Sequence, residues 1–386
     1  MSWSPFRPDV MADPAVGHHE LLDRCPVHHY TEFDPPFYTL SKFTDVEMAL
    51  RDTETFSSEF GQGPRFTPPQ GMLSDPPQHT HLRSLIQSAF APRAMKQLAP
   101  QVQALTYSLL ADLGETTFDL HDQFAFPLPV VIIAGMLGVP KTDLEQFKHW
   151  SDVRVAAMGA PDPSQYLADI NAFDDYMLER LTEREATLKD NQTVPEDLLT
   201  LIAAAQYPDG KPVDRADKLS MISQLLVGGN ETTTSLITNV VWRLLQFDLW
   251  SQVVNNPDLI EAAIEESLRY DPPVLGLYRN TTRDVTLHGV DIPKGSKVLI
   301  NYAAANRDPA AFDAPDEFQL TRGSRRHMSF GLGLHFCLGA PMARLETRIA
   351  LQALCEHYPN LQLVDAGERI APFFLWGRKR LWLKAS

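Results

Sequence analysis

Apolar residues recur at three- and four-residue spacing in eight stretches, near 41–51, 79–91, 94–112, 142–157, 164–189, 217–247, 257–270 and 339–357. That period predicts helices. Prolines punctuate them: Pro68, Pro69, Pro76 and Pro77 precede the second stretch, and Pro272 and Pro273 close the seventh after Tyr270. The longest stretch, 217–247, is interrupted by polar groups, so it reads as a buried core helix rather than a membrane span. Strand-like runs are short. PFYTL stands near the start; VTLHGV, an IPKGS turn and KVLINYAA predict one hairpin, and the C-terminal FFLWGRKRLWLKA predicts another. No repeat of 20–50 residues and no low-complexity linker divides the chain. The expectation is a mainly α fold, one folded unit over 1–386, with a large helical lobe and a smaller β-containing lobe.

Composition narrows the function. The chain has 386 residues, 44% hydrophobic and 22% charged, which suits a globular enzyme and excludes wholesale disorder. A net charge of −15 argues against a general nucleic-acid binder. Three scattered cysteines, Cys25, Cys337 and Cys355, include no CxxC pair, so neither a disulfide scaffold nor a structural zinc site is expected. The N-terminal MSWSPFRPDVMADP is polar and proline-punctuated. Neither a signal peptide nor a membrane anchor is expected from it, and a cytoplasmic location follows.

Candidate chemistry gathers in four motifs. FGLGLHFCLGAPMARLE (330–346) sets Cys337 among glycines and just before a predicted helix, whose N-terminal field favours thiolate over thiol. In the middle of the long helix, Gly228, Gly229, Asn230, Glu231 and Thr232 break the helix rule, since paired glycines cost roughly 1 kcal/mol each against alanine. Glu266 and Arg269 share a helix face three residues apart. His79 and Arg83 share another, four apart. Taken singly, each has a plain reading: a buried cysteine, a glycine packing contact, a surface ion pair, a solvated helix face.

Together the four resemble the cytochrome P450 family, whose haem-ligating loop F-G-x-G-x-H-x-C-x-G is matched at Phe330, Gly333, His335, Cys337 and Gly339. The resemblance runs over nearly the whole chain. It implies haem b as cofactor, with Cys337 as the axial metal ligand supplying a thiolate to iron. Phe330 would pack around the sulfur and Gly339 would let the following helix pass close to the haem. GGNET matches the family's acid–alcohol element, so Thr232 would hydrogen-bond dioxygen or its water and Glu231 would feed protons there. O–O cleavage takes two protons delivered without flooding the site. His79, Arg83, Arg279 and His335 would meet the haem propionates. Glu266, Arg269 and Arg322 would form a structural network.

The same resemblance makes the chain a monooxygenase using O2 and two external electrons to hydroxylate a hydrophobic small molecule. A ferredoxin and ferredoxin reductase would supply the electrons, since no redox domain fits in the remaining length. Arg325, Arg326, Arg344 and Arg348 flank the cysteine loop as a candidate docking patch. Candidate substrate contacts are Phe66, Met72, Leu225, Gly228, Val274, Leu275, Leu277 and Phe373; Arg65 could meet a substrate carboxylate, but the favoured reading is a solvent-exposed arginine. A peroxide-driven peroxygenase and a haem-based sensor are the competing readings, and the Glu231–Thr232 pair counts against both.

Overall fold

In a computed structural model, which describes residues 3–114, 116–160, 162–322 and 326–385, helices dominate. All eight predicted helices are present, at Phe43–Arg51, Gln78–Ile86, Pro92–Ala111, Leu144–Gly159, Leu167–Lys189, Arg215–Gln246, Leu259–Tyr270 and Ala340–His357. The helix Pro127–Met136 had no periodic signature, because PLPVVIIAGM is apolar on every side and is buried on nearly every side. It packs on the central helix Arg215–Gln246, the spine of the main apolar core. Among the described residues no helix is long and apolar enough to cross a membrane.

The strands pair differently from the expectation. Lys297–Ile300 does not close a hairpin with Val285–Leu287. Val285–Leu287 pairs with Val290–Ile292 across a two-residue turn, where His288 and Gly289 both take positive φ. Lys297–Ile300 instead lies inside a five-stranded sheet, antiparallel to Leu277–Thr281 and parallel to Phe37–Leu40. All four of its side chains are buried, so it fits an interior position. The C-terminal hairpin is not formed either. Trp382–Lys384 pairs with Thr117–Asp119 and Gln362–Asp365, and the 373–376 segment is buried beside the N-terminal region.

Candidate functional site

The cysteine loop is built by backbone hydrogen bonds. Cys337 N–H donates to Phe330 O at 2.9 Å, and Gly331 N–H donates to Met328 O at 2.7 Å. Gly333 has φ +66°, and a Cβ there would stand 3.0 Å from the Leu50 carbonyl oxygen, so the turn needs glycine. Asn306 pegs the loop from below. Its Oδ1 accepts from Met328 N–H at 2.7 Å and its Nδ2 donates to Ser329 Oγ at 2.9 Å, while Ser329 Oγ donates to Leu268 O at 2.6 Å. These two pegs were missed in the sequence, where nothing ties them to the loop.

Burial pushes the Cys337 thiol above its ordinary value; the N–H groups of Gly339 and Ala340 and the charge of Arg83 pull the other way. Those donors are the helix N-terminus acting on sulfur. A cavity lies over the loop, with Cys337, Leu338 and Gly339 on one wall and Gly228 and Gly229 on the other. A Cβ on Gly228 or Gly339 would meet nothing within 4 Å, so both glycines face open space.

Beside the glycines, the Thr232 hydroxyl donates back to Gly228 O at 2.8 Å. Glu231 is buried, which raises its carboxyl to about 7, and it accepts from Ser235 Oγ at 3.1 Å. Of the candidate substrate contacts, Met72, Leu225 and Gly228 line this cavity. Phe66 is exposed on the surface under Lys297. Val274, Leu275, Leu277 and Phe373 belong to the packing around the sheets and N-terminal region, and Phe373 is only 6% exposed. Arg65 reaches Ala160 O at 3.3 Å and lies over the Phe33 ring.

The four expected propionate partners converge. The His79 and His335 rings stand 4.1 Å apart, and both nitrogens of His79 and Nε2 of His335 are buried without a hydrogen-bond partner. Burial, then the neighbouring arginines, lower His79 to about 4 and His335 to about 2. Arg83 donates to Phe336 O at 2.6 Å and Arg279 to Tyr278 O at 2.8 Å. Arg279 also meets the Tyr302 hydroxyl. A buried group of donors and cations with orphaned nitrogens is costly by itself and suits a dianionic ligand. A bare zinc ion does not suit the thiol, because among the described residues no three His, Cys, Asp or Glu side chains gather to hold a metal. A metal at Cys337 must bring its other ligands with it, as haem does.

The scaffold network is also assembled. Glu266 accepts from Arg269 at 2.8 and 2.9 Å and from Arg322 Nε at 3.0 and 3.1 Å, with both glutamate and Arg269 buried. Arg269 further caps the carbonyls of Asn306, Pro315 and Glu317.

Comparison with known proteins agrees with this geometry. The family model described as Cytochrome P450 matches residues 250–369. The chain is 39% identical to the erythromycin C-12 hydroxylase of Saccharopolyspora erythraea over 345 residues, covering 86% of this chain and 84% of that one. This chain belongs to the cytochrome P450 family. Its fold is similar to that of a mutant of P450 EryK in complex with erythromycin B, with TM-score 0.87, 35% identity and 97% of each chain covered. It is similar as well to CYP109E1 from Bacillus megaterium in complex with testosterone, with TM-score 0.86, 30% identity and each chain fully covered. As a cytochrome P450 the chain is an oxidoreductase of the monooxygenase type with haem b as cofactor.

The proximal side of the loop is less basic than the sequence suggested. Arg344 forms a two-point pair with Glu265, at 2.6 and 2.9 Å, and lies over the Phe330 ring. His327 meets the same carboxylate at 3.2 Å. Arg326 is exposed and Arg348 half-buried, while Arg325 lies outside the described residues.

Proposed function

We propose that this cytochrome P450 hydroxylates a hydrophobic small organic molecule in the cytoplasm, with O2 and two electrons supplied by a ferredoxin and its reductase. The observation that carries this reading is one cavity walled by Cys337 and Gly339 on one side and by Gly228 and Gly229 on the other, with Thr232 and Glu231 beside it. Haem b, when bound there, activates O2 and inserts one oxygen atom into a C–H bond. Cys337 would supply a thiolate to the haem iron. His79 and His335, through their unpaired nitrogens, and Arg83 and Arg279, through their charge, would hold the propionates. Thr232, whose hydroxyl lies on the carbonyl of cavity-lining Gly228, would give up that bond to serve the cavity, and Glu231, raised to about 7 by burial, would supply the proton.

Apolar lining from Met72 and Leu225 suits an apolar substrate. The named molecules of the relatives, erythromycin and testosterone, belong to the same broad hydrophobic class. The carbon-monoxide complex of the reduced protein checks the thiolate assignment: a Soret band at the red-shifted thiolate position is expected, and an ordinary haem–histidine position overturns it. Electron delivery is checked separately. Neutralising Arg326, Arg344 and Arg348 together should flatten the salt dependence of reduction by a ferredoxin. An unchanged slope removes that surface from the docking site.

A further inference from the structure

Asp217 stands in the first turn of the central helix, about three turns before the Gly228–Gly229 pair. It is buried, and its carboxylate gathers donors from three separate segments. Gly71 N–H donates to Oδ1 at 2.8 Å, while the Gln78 amide and the Tyr207 hydroxyl each donate to Oδ2 at 2.7 Å. The neighbouring Lys218 turns away, to Glu185 and to Ala203 O. Hydrogen bonds to a buried carboxylate are strong, so each donor is held firmly.

Farther along the same helix, Gln224 grips the same segment. Its Oε1 accepts from Met72 N–H at 3.1 Å, and its Nε2 donates to Gln70 O at 3.3 Å and to Ser220 Oγ at 2.6 Å. The approach is close enough to require glycine at 71. There φ is +59°, and a Cβ would stand 2.8 Å from Gln224 Nε2 and 2.9 Å from Ser220 Oγ. The short helix Gly71–Leu73 therefore lies down on the central helix, where Met72 and Gln224 both line the cavity over the Cys337 loop. Asp217 and Gly71 stand outside that lining. The 66–70 stretch leading into the segment is exposed, which leaves the grip on residues 70–72 to these bonds.

We propose that Asp217 and Gln224 determine the size of molecule this protein accepts, by fixing how far Met72 stands over the cavity. The proposal rests on the reading of that cavity as the substrate space. A molecule too large for the pinned wall has to lift Met72, which strips Gly71 N–H from Asp217 and Met72 N–H from Gln224. Leaving buried polar groups unpaired is costly, so the large molecule binds weakly. A small molecule leaves the bonds intact and meets no such cost. Size is thus read partly by a residue that touches no substrate: Asp217 is a positioning residue acting through Gly71 and Met72.

The test compares two azoles on the holoenzyme, imidazole and an imidazole carrying three aryl rings, by the Soret shift on ligation of the iron. In Asp217→Ala the Kd of the bulky azole should fall about tenfold, while that of imidazole changes by less than about twofold. Asp217→Asn keeps an oxygen for Gly71 N–H, and the Gln78 amide can turn to suit it, so values like the parent's should return. A merely structural role would lower the urea midpoint and leave the ratio of the two constants alone. An unchanged ratio in Asp217→Ala overturns the proposal. If that variant fails to hold haem, Gly71→Ala decides, because its Cβ forces the segment off Gln224 and Ser220 without altering the lining. A shift of the ratio toward the bulky azole supports the pins, and an unchanged one overturns them. Failure of both azoles to move the parent's Soret band overturns the substrate-space reading instead, before any variant is made.

Discussion

Removing one hydroxyl at Thr232 separates its chemical task from its structural one. The hydroxyl returns to Gly228 O within its own helix, a bond of little net worth to stability. Thr232→Ala should therefore leave the urea midpoint nearly unchanged while more NAD(P)H ends as peroxide. Equal coupling in both proteins removes the assigned role. Glu346 offers a second test with a definite sign. It is fully buried, neither carboxylate oxygen has a hydrogen-bond partner, and burial raises its carboxyl to about 8. A folded-state value above the unfolded one means stability present below the usual carboxylate range and lost as pH rises through about 8. Glu346→Gln cannot ionise, so its stability relative to the parent should increase from pH 5 to pH 9, measured by urea unfolding. The Cys337 loop was readable residue by residue because its chemistry demands particular side chains. The pegs Asn306 and Ser329 were not, since their role is a set of hydrogen bonds formed only after distant segments meet.

At the scale of the element, the central helix shows how two adjacent glycines differ. Gly228 faces the cavity, whereas a Cβ on Gly229 would come 3.2 Å from Ile133 Cγ1. Gly228→Ala should gain roughly 1 kcal/mol of helix stability. Gly229→Ala should gain less or lose, because Ile133 is packed and must yield. Equal midpoints in urea would falsify this assignment of faces. Periodicity made eight helices legible, and it failed where periodicity is physically absent. Pro127–Met136 is buried nearly all round, so its sequence carries no face. Phe37–Leu40 and Lys297–Ile300 were visible as strands, Val27–Tyr30, Thr117–Asp119, Leu277–Thr281 and Gln362–Asp365 were not, and the pairing was not legible. Register between Phe37–Leu40 and Lys297–Ile300 depends on segments far apart in sequence.

At the scale of the molecule, Glu266 joins the helix Leu259–Tyr270 to the 313–322 segment that leads into the cysteine loop. Replacing it with alanine strands Arg269 as a buried unpaired cation. Breaking such a pair costs roughly 3–5 kcal/mol. Glu266→Ala should lower the urea midpoint accordingly and reduce the haem content of the purified protein; full loading with an unchanged midpoint contradicts the network's role. The mainly α class and the helical spine could be read from sequence, because local periodicity settles them. The joining of the N-terminal strands to a late part of the chain could not.

That joining sets a timetable for the protein's birth. Phe37–Leu40 lies between Val27–Tyr30 and Lys297–Ile300 in the sheet, so its second edge stays open until some 260 further residues exist. At synthesis speeds of roughly 5–20 residues per second, that edge waits on the ribosome for about 13–50 seconds. A nascent chain with an unpaired apolar strand for so long is a natural client for chaperones that shield strand edges.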